Sequence, residues 1–302
     1  MKPTVEIVEV GARDGLQNEP VSLSTEQKLT LLSALADAGV RRAEAVSFAH
    51  PKLVPQMADA ESVMSNLDLG EGFTPIGLVM NWKGWLRAKA TNLKQVNFSV
   101  ATSNTFNQKN QGAPAAELLA MLSDIVAEAG ELGIAVGAVI STAFGCPFEG
   151  EVSEAQFMAV AEPLAAMSLL EYGPADTIGV ATPWDVTRRL QLLKALGRNA
   201  ALRAHFHNTR NTGIANAYAA IEAGVDVLDA SVGGIGGCPF APNATGNIPS
   251  DDLVYMLHRE GIETGINLTK LIAVSHWLEP LLEHEVPALL PKAGEFPSSA
   301  GA

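Results

Sequence analysis

Eight short runs of β-branched or apolar residues recur along the chain at residues 4–10, 42–46, 74–80, 95–100, 134–141, 176–180, 201–207 and 225–231. Longer segments with helical periodicity follow, including residues 25–38, 115–132, 154–171, 184–196 and 213–223. Ser24 with Gln27 and Ser153 with Gln156 have the spacing of a capping box, and Gly39, Gly133 and Gly224 stand just past helix ends. Eight strand-helix units in 302 residues predict an α/β fold, a (β/α)8 TIM barrel with extra C-terminal helices. An open doubly wound sheet is the alternative, but no G-x-G-x-x-G follows the first strand. The expected organisation is a single catalytic domain over residues 1–302: a barrel over about 4–248, helices over about 249–290 and a tail at 291–302.

On a barrel, chemistry belongs to the loops after the C-terminal ends of the strands. The seventh run ends in Ala204-His205-Phe206-His207. Strand side chains alternate, so both histidines project to one face. An isolated H-x-H is more often a satisfied pair at a strand end than a ligand pair. Here oxygen donors stand near other strand ends: Asp14 after the first run, Asp176 at the sixth, and Asn247 in a glycine-rich loop. Histidine with oxygen donors suits a divalent cation. Arg13, beside Asp14, offers a rigid, permanently charged fork to an oxyanion, although Arg-Asp-Gly alone is also a common surface turn. The run Gly233-Gly234-Ile235-Gly236-Gly237-Cys238-Pro239-Phe240 has backbone freedom enough to fold over a substrate. Cys238 on it reads either as a packing thiol or as an acid-base group.

A net charge of −13 argues against nucleic acid as a partner, since phosphate binding needs a basic footprint. It leaves room for an anionic small molecule met by local Arg and Lys. No apolar run is long enough to cross a bilayer, so no membrane partner is expected. Two cysteines, Cys146 and Cys238, make no disulfide framework, and without a signal or transit pattern the expected compartment is the cytoplasm. The glycosylation triplets at Asn97 and Asn243 then read as coincidence.

Several longer segments carry a resemblance over residues 5–268. They are Val8-Glu9-Val10-Gly11-Ala12-Arg13-Asp14-Gly15-Leu16-Gln17-Asn18-Glu19, Ser47-Phe48 through Gln56-Met57, Gly145-Cys146-Pro147-Phe148-Glu149-Gly150, Asp176-Thr177-Ile178-Gly179-Val180, His205-Phe206-His207 and the Gly-Gly-Cys-Pro-Phe loop. The chain resembles the 3-hydroxy-3-methylglutaryl-CoA lyase family, metal-dependent carbon-carbon lyases that share a barrel with isopropylmalate and homocitrate synthases. The resemblance implies cleavage of 3-hydroxy-3-methylglutaryl-CoA to acetyl-CoA and acetoacetate, as in leucine catabolism, with Mg2+ or Mn2+. It implies Asp14, His205, His207 and Asn247 as ligands of the cation, and Arg13, Glu44, Asp176, His205 and Cys238 as catalytic groups. Arg13 and Gln17 fall near the acyl group. It implies an acyl-CoA as partner and a homodimer or higher homo-oligomer. Cys146 is assigned to structure, His50, His258, His276 and His284 to the surface, and Lys52, Lys109 and Asn110 to loops within reach of CoA phosphates or to a solvated face.

The chain departs from the family pattern at Asn208 and Arg210 after the histidines, and at Asn104. These changes remove two carboxylates and add a guanidinium, which suggests Arg210 as a substrate-binding group and a shifted acyl preference. Citramalyl-CoA, giving pyruvate and acetyl-CoA, and a longer branched 3-hydroxyglutaryl-CoA are the alternatives. A metal-binding barrel without catalysis is a weaker reading, because Arg13, Glu44, Asp176 and Cys238 are all kept. A synthase is disfavoured by the lyase-type cysteine loop.

Overall fold

The structure is a computed structural model that describes residues 5–197, 199–238 and 241–296, the side chains of residues 238 and 241–245 excepted. The elements run β1 (Glu6–Glu9), α1 (Thr25–Asp37), β2 (Arg42–Ser47), α2 (Ala60–Asn66), β3 (Thr74–Val79), α3 (Trp82–Ala88), β4 (Gln95–Ala101), α4 (Asn104–Gln111), α5 (Ala115–Leu132) and β5 (Ala135–Ser141). They continue through β6 (Gly145–Cys146), β7 (Gly150–Glu151), α6 (Glu154–Ala165), β8 (Glu171–Asp176), α7 (Pro183–Ala195), β9 (Ala201–Phe206), α8 (Gly213–Glu222) and β10 (Val227–Ala230). The last are β11 (Gly237–Cys238), β12 (Ala241–Thr245), α9 (Ser250–Arg259), α10 (Leu268–Leu282) and α11 (Leu290–Ala293).

Eight strands close into a barrel in the order β1-β10-β9-β8-β5-β4-β3-β2, every neighbouring pair parallel. This is the (β/α)8 barrel the alternation predicts. The helix starts follow their local chemistry. Ser24 and Ser153 each form a full capping box with the glutamine three residues on, and Thr182 with Asp185 makes another. Of the C-terminal helices, α10 packs on α1, and the chain beyond it returns to the glycine-rich loop, where the Ala288 amide donates to the Gly233 carbonyl.

One strand differs from its expected place. The sixth barrel strand is Glu171–Asp176, not residues 176–180, and the helix before it stops at Ala165 instead of continuing to residue 171. Glu171-Tyr172-Gly173-Pro174 has neither β-branched residues nor alternation, so local pattern points away from a strand. Tertiary contacts decide otherwise. Gly173 lies so close to β9 that a Cβ there would stand 1.8 Å from the Arg203 carbonyl oxygen. Glu171 accepts from the Arg203 guanidinium at 2.8 Å. The apolar Thr177-Ile178-Gly179-Val180 instead forms a loop, pinned where Asp176 accepts from the Val180 and Ala181 amides at 2.8 and 3.0 Å.

Apolar side chains between the strands and the outer helices form the main core, with Trp85, Phe48, Phe157 and Phe206 among its largest buried members. The barrel interior is charged. Arg203 on β9 bonds Glu44 on β2, and Arg42 on β2 bonds Glu171 on β8, pairs of strands that are not neighbours, so these bonds cross the lumen. Barrel interiors are usually filled by branched aliphatic side chains. Here a buried ionic layer lies beneath the mouth.

Candidate active site

After β1 the chain makes a wide π-type turn over Gly11–Gly15, in which the Arg13, Asp14 and Gly15 amides all donate to the Val10 carbonyl. The turn is fastened from below by Glu9. Its Oε1 accepts from the Gly11 and Val232 amides, each at 2.8 Å, and its Oε2 from the Ser250 hydroxyl at 2.5 Å. One buried carboxylate thus joins the Arg13-Asp14 turn to the root of the glycine-rich loop. Burial raises its pKa to about 7.

β9 carries Arg203 and His205 at alternate positions, with His207 next in the same register. His205 and His207 each place Nε2 at 3.8 Å from Asp14 Oδ2. One donor atom from each of the three residues lies within 4.8 Å of the others, the only such group among the described residues. Asn247 arrives through the loop after β10. Gly236, at φ +114°, lets that loop turn back so that the Gly246 amide donates to the Gly236 carbonyl. Asn247 then bridges to His207 through the backbone, with Nδ2 directed to the Ile235 carbonyl. Its Oδ1 is buried and has no hydrogen-bond partner. An orphaned buried oxygen on a residue bridged to His207 is what a hard divalent cation could satisfy, so Asn247 is compatible with an ion held by Asp14, His205 and His207.

The charges around them are set by partners. Burial, the largest influence on Asp14, pushes its carboxyl up, but Arg13 and both histidines outweigh it and hold the group well below the ordinary range. Glu44 is held low in the same way, burial being overcome by Arg13 and Arg203. For His205, burial lowers the pKa, but Asp229 and Asp14 win and raise it. Arg13 donates from Nε to Glu44 Oε2 at 2.7 Å and from Nη1 to Asp14 Oδ1 at 2.5 Å, while Nη2 also bonds Glu44. Glu44 Oε1 accepts from Asn97 at 2.5 Å and Arg203 at 2.9 Å.

These groups open into a cleft of about 720 Å3. Arg13, Asp14, Gln17, Glu44, His205 and His207 line it, together with the hydroxyls of Ser47, Ser99, Ser141 and Thr177. Gln17 Oε1 is buried without a partner, as suits a group kept for a ligand. Lys109 and Asn110 also line the cleft, from helix α4 rather than from a loop, as do Lys83 and His50, which the sequence reading did not place there; Lys52 is absent from the lining. Gly237 reaches the cleft, while the Cys238 side chain lies outside the described residues.

Several expected residues lie off the cleft wall, Asp176 among them although it is close enough to feel the charges of His205 and His207. Asp176 does not line the cleft; its carboxylate is spent on the Val180 and Ala181 amides, and burial raises its pKa. Arg210 turns away from the mouth and donates to the Ile178 and Gly179 carbonyls, both at 2.9 Å. Asn208 accepts from the Gly213 amide and Asn104 from the Ala115 amide, so two of the three departures from the family pattern serve nearby turns, the third, Arg210, ties the loop after β8, and none lines the cleft. Cys146 is buried with Ala101, Phe106 and Val152, in keeping with a structural role. His284 does more than face solvent, bonding Glu19 at 2.8 Å. The sequence reading missed Asp229, which accepts from Arg203 Nε at 2.6 Å and pairs with His205 Nδ1 at 3.1 Å. A carboxylate on the far nitrogen of a ligating histidine fixes its tautomer and orientation. The signal was available: Asp229 is a charge inside the apolar run 225–231, and Arg203 shares the register of the histidines.

Comparison with known proteins bears on the fold and the family. The HMGL-like family model matches residues 4–278. Hydroxymethylglutaryl-CoA lyase YngG of Bacillus subtilis is 37% identical over 284 residues, covering 94% of this chain and 95% of that protein. The (R)-citramalyl-CoA lyase of Chloroflexus aurantiacus is 40% identical over 300 residues, covering 96% and 95%. Among solved structures, an HMG-CoA lyase from Acinetobacter baumannii in complex with coenzyme A and 3-methylmalate superposes with a TM-score of 0.91 at 38% identity, covering 97% of this chain and 96% of that one. The chain belongs to the HMGL-like family.

Proposed function

We propose that the protein is a divalent-metal-dependent acyl-CoA lyase that cleaves 3-hydroxy-3-methylglutaryl-CoA to acetyl-CoA and acetoacetate. The observation that carries this reading is the convergence of Asp14, His205 and His207 within 4.8 Å, beside Arg13, on the wall of one cleft. Asp14, His205, His207 and Asn247 would hold the ion, taken as Mg2+ or Mn2+ for its oxygen and imidazole ligands. When bound, it would make the tertiary alcohol of the substrate more acidic.

The remaining work falls to side chains. As the carbon-carbon bond breaks, its electron pair moves into the thioester and negative charge grows on the thioester oxygen. Arg13, clamped by Glu44 and Asp14, presents its fixed positive charge there, a contribution worth roughly 3 to 4 kcal/mol for a well-placed donor. Glu44, held anionic by two arginines, serves to orient Arg13 rather than to carry protons. Asp176, whose burial favours the protonated form, is the acceptor for the hydroxyl proton, which reaches it by relay because the carboxylate does not line the cleft. Cys238 on the glycine-rich loop delivers a proton to the enolate carbon. Lys83 and Lys109 of the cleft lining meet the phosphates of CoA. The proposal includes a homo-oligomer in the cytoplasm acting in leucine breakdown.

Citramalyl-CoA is a second reading, favoured by the similarity to a citramalyl-CoA lyase. The test is acetyl-CoA release by metal-stripped protein with Mg2+ or Mn2+ restored, on both esters side by side. Faster metal-dependent cleavage of the glutaryl ester supports the first reading, and preference for citramalyl-CoA the second. Silence on both, and on longer branched esters, overturns the lyase assignment.

A further inference from the structure

We infer that Arg203, which neither lines the cleft nor hydrogen-bonds a proposed metal ligand, is a positioning residue for the lyase reaction, holding Arg13 and His205 in register from beneath. Its guanidinium is 3% exposed and bonds three carboxylates from three strands: Asp229 through Nε at 2.6 Å, Glu171 through Nη1 at 2.8 Å and Glu44 through Nη2 at 2.9 Å.

Two of those carboxylates continue into the site. Glu44 passes to Arg13 at 2.7 Å, and Arg13 to Asp14 at 2.5 Å. Asp229 passes to His205 at 3.1 Å, whose other nitrogen stands 3.8 Å from the same Asp14. The contacts close a ring, Arg203-Glu44-Arg13-Asp14-His205-Asp229, with Arg203 at its foot. The third carboxylate leads away from the site: Glu171 is shared with Arg42 at 2.7 Å and Gln95 at 3.0 Å.

A planar fork fixes the mutual angle of the carboxylates it bonds, which a lysine ammonium, a point charge on a flexible stem, does not. In the proposed reaction Arg13 and His205 have different tasks on either side of Asp14, one at the thioester oxygen and one at the cation. Misplacement by about 1 Å costs catalysis on the order of a hundredfold. One rigid group that sets both therefore bears on rate more than on affinity for the ester.

The competing account is that Arg203 only neutralises buried carboxylates. Arg42 provides the control: it also pairs with Glu171 in the barrel interior, yet bonds neither Glu44 nor Asp229. Arg203→Lys and Arg42→Lys are compared for melting temperature, Mn2+ affinity by electron paramagnetic resonance without ester, and steady-state kinetics well below melting. Positioning predicts that Arg203→Lys loses kcat by about tenfold or more and binds Mn2+ several-fold more weakly, with KM within about twofold. Arg42→Lys lowers the melting temperature but keeps kcat and Mn2+ affinity within about twofold. The inference is overturned if Arg203→Lys melts earlier with kcat and Mn2+ binding unmoved, or if both variants lose activity alike.

Should Arg203→Lys fail to fold, the wild-type arginine can be tested through its partners. Losses from Glu44→Gln and Asp229→Asn should be smaller together than the product of the singles, whereas independent, multiplying losses overturn the link. The kinetic arm rests on the proposed lyase activity. A wild-type protein silent on every ester refutes that activity, and Mn2+ affinity then decides Arg203 alone.

Discussion

Replacing Glu9 by Gln should reveal how the site's foundation depends on pH. Glu9 is fully buried and accepts from two amides and one hydroxyl, and desolvation outweighs those bonds, raising its pKa from 4.5 to about 7. A group whose folded-state pKa lies above its unfolded value stabilises the fold below the unfolded value and loses that contribution as pH rises through the folded one. At about 1.36 kcal/mol per unit, the loss between pH 4.5 and 7 amounts to roughly 3 kcal/mol. Glutamine mimics the protonated acid: its oxygen can accept from Gly11 and Val232, and its amide can donate to Ser250. Glu9→Gln should therefore match wild type below about pH 4 and exceed it by about 3 kcal/mol at pH 8, or about 5 °C in melting temperature for a chain of this size. Melting both proteins across that range by calorimetry is the assay. Parallel profiles would refute the reasoning, showing that the three bonds keep Glu9 ionised throughout.

Arg13→Lys keeps a charge but loses the fork on Glu44 and Asp14; kcat should fall by about 100-fold or more with KM for the ester little changed, read by steady-state kinetics. Asp229→Asn weakens the support behind His205 and should cost about 10- to 100-fold in metal affinity or turnover, measured by Mn2+ titration and by rate. Arg210→Ala, because Arg210 is occupied with the Ile178 and Gly179 carbonyls, should leave KM within about twofold; a larger rise would return the residue to the substrate.

The barrel was legible because each βα unit announces itself locally, by β-branched runs, helical periods and capping residues such as Ser24 and Ser153. The sixth strand was not, since Glu171 and Gly173 are placed by Arg203 across the sheet rather than by their own propensity. The convergence of Asp14, His205 and His207 could be read from strand ends, because a barrel brings those ends together whatever separates them in sequence. Which way a side chain turns there could not. Asp176 and Arg210 hold a candidate position yet spend their polar atoms on nearby backbone, and only the three-dimensional path of residues 177–181 shows it. Asp229 stood out as a charge inside a strand run, but which groups it serves, His205 and Arg203 on a neighbouring strand, is visible only in the fold.

The central claim is that the Asp14-His205-His207-Asn247 site breaks a carbon-carbon bond, and product analysis of 3-hydroxy-3-methylglutaryl-CoA incubated with the metal-stripped protein, before and after Mn2+ is restored, tests it most directly. The account predicts acetyl-CoA and acetoacetate in equal amounts, only after the metal returns. Free CoA with an intact branched acid would mean thioester hydrolysis instead, and acetyl-CoA formed at full rate without metal would contradict the site.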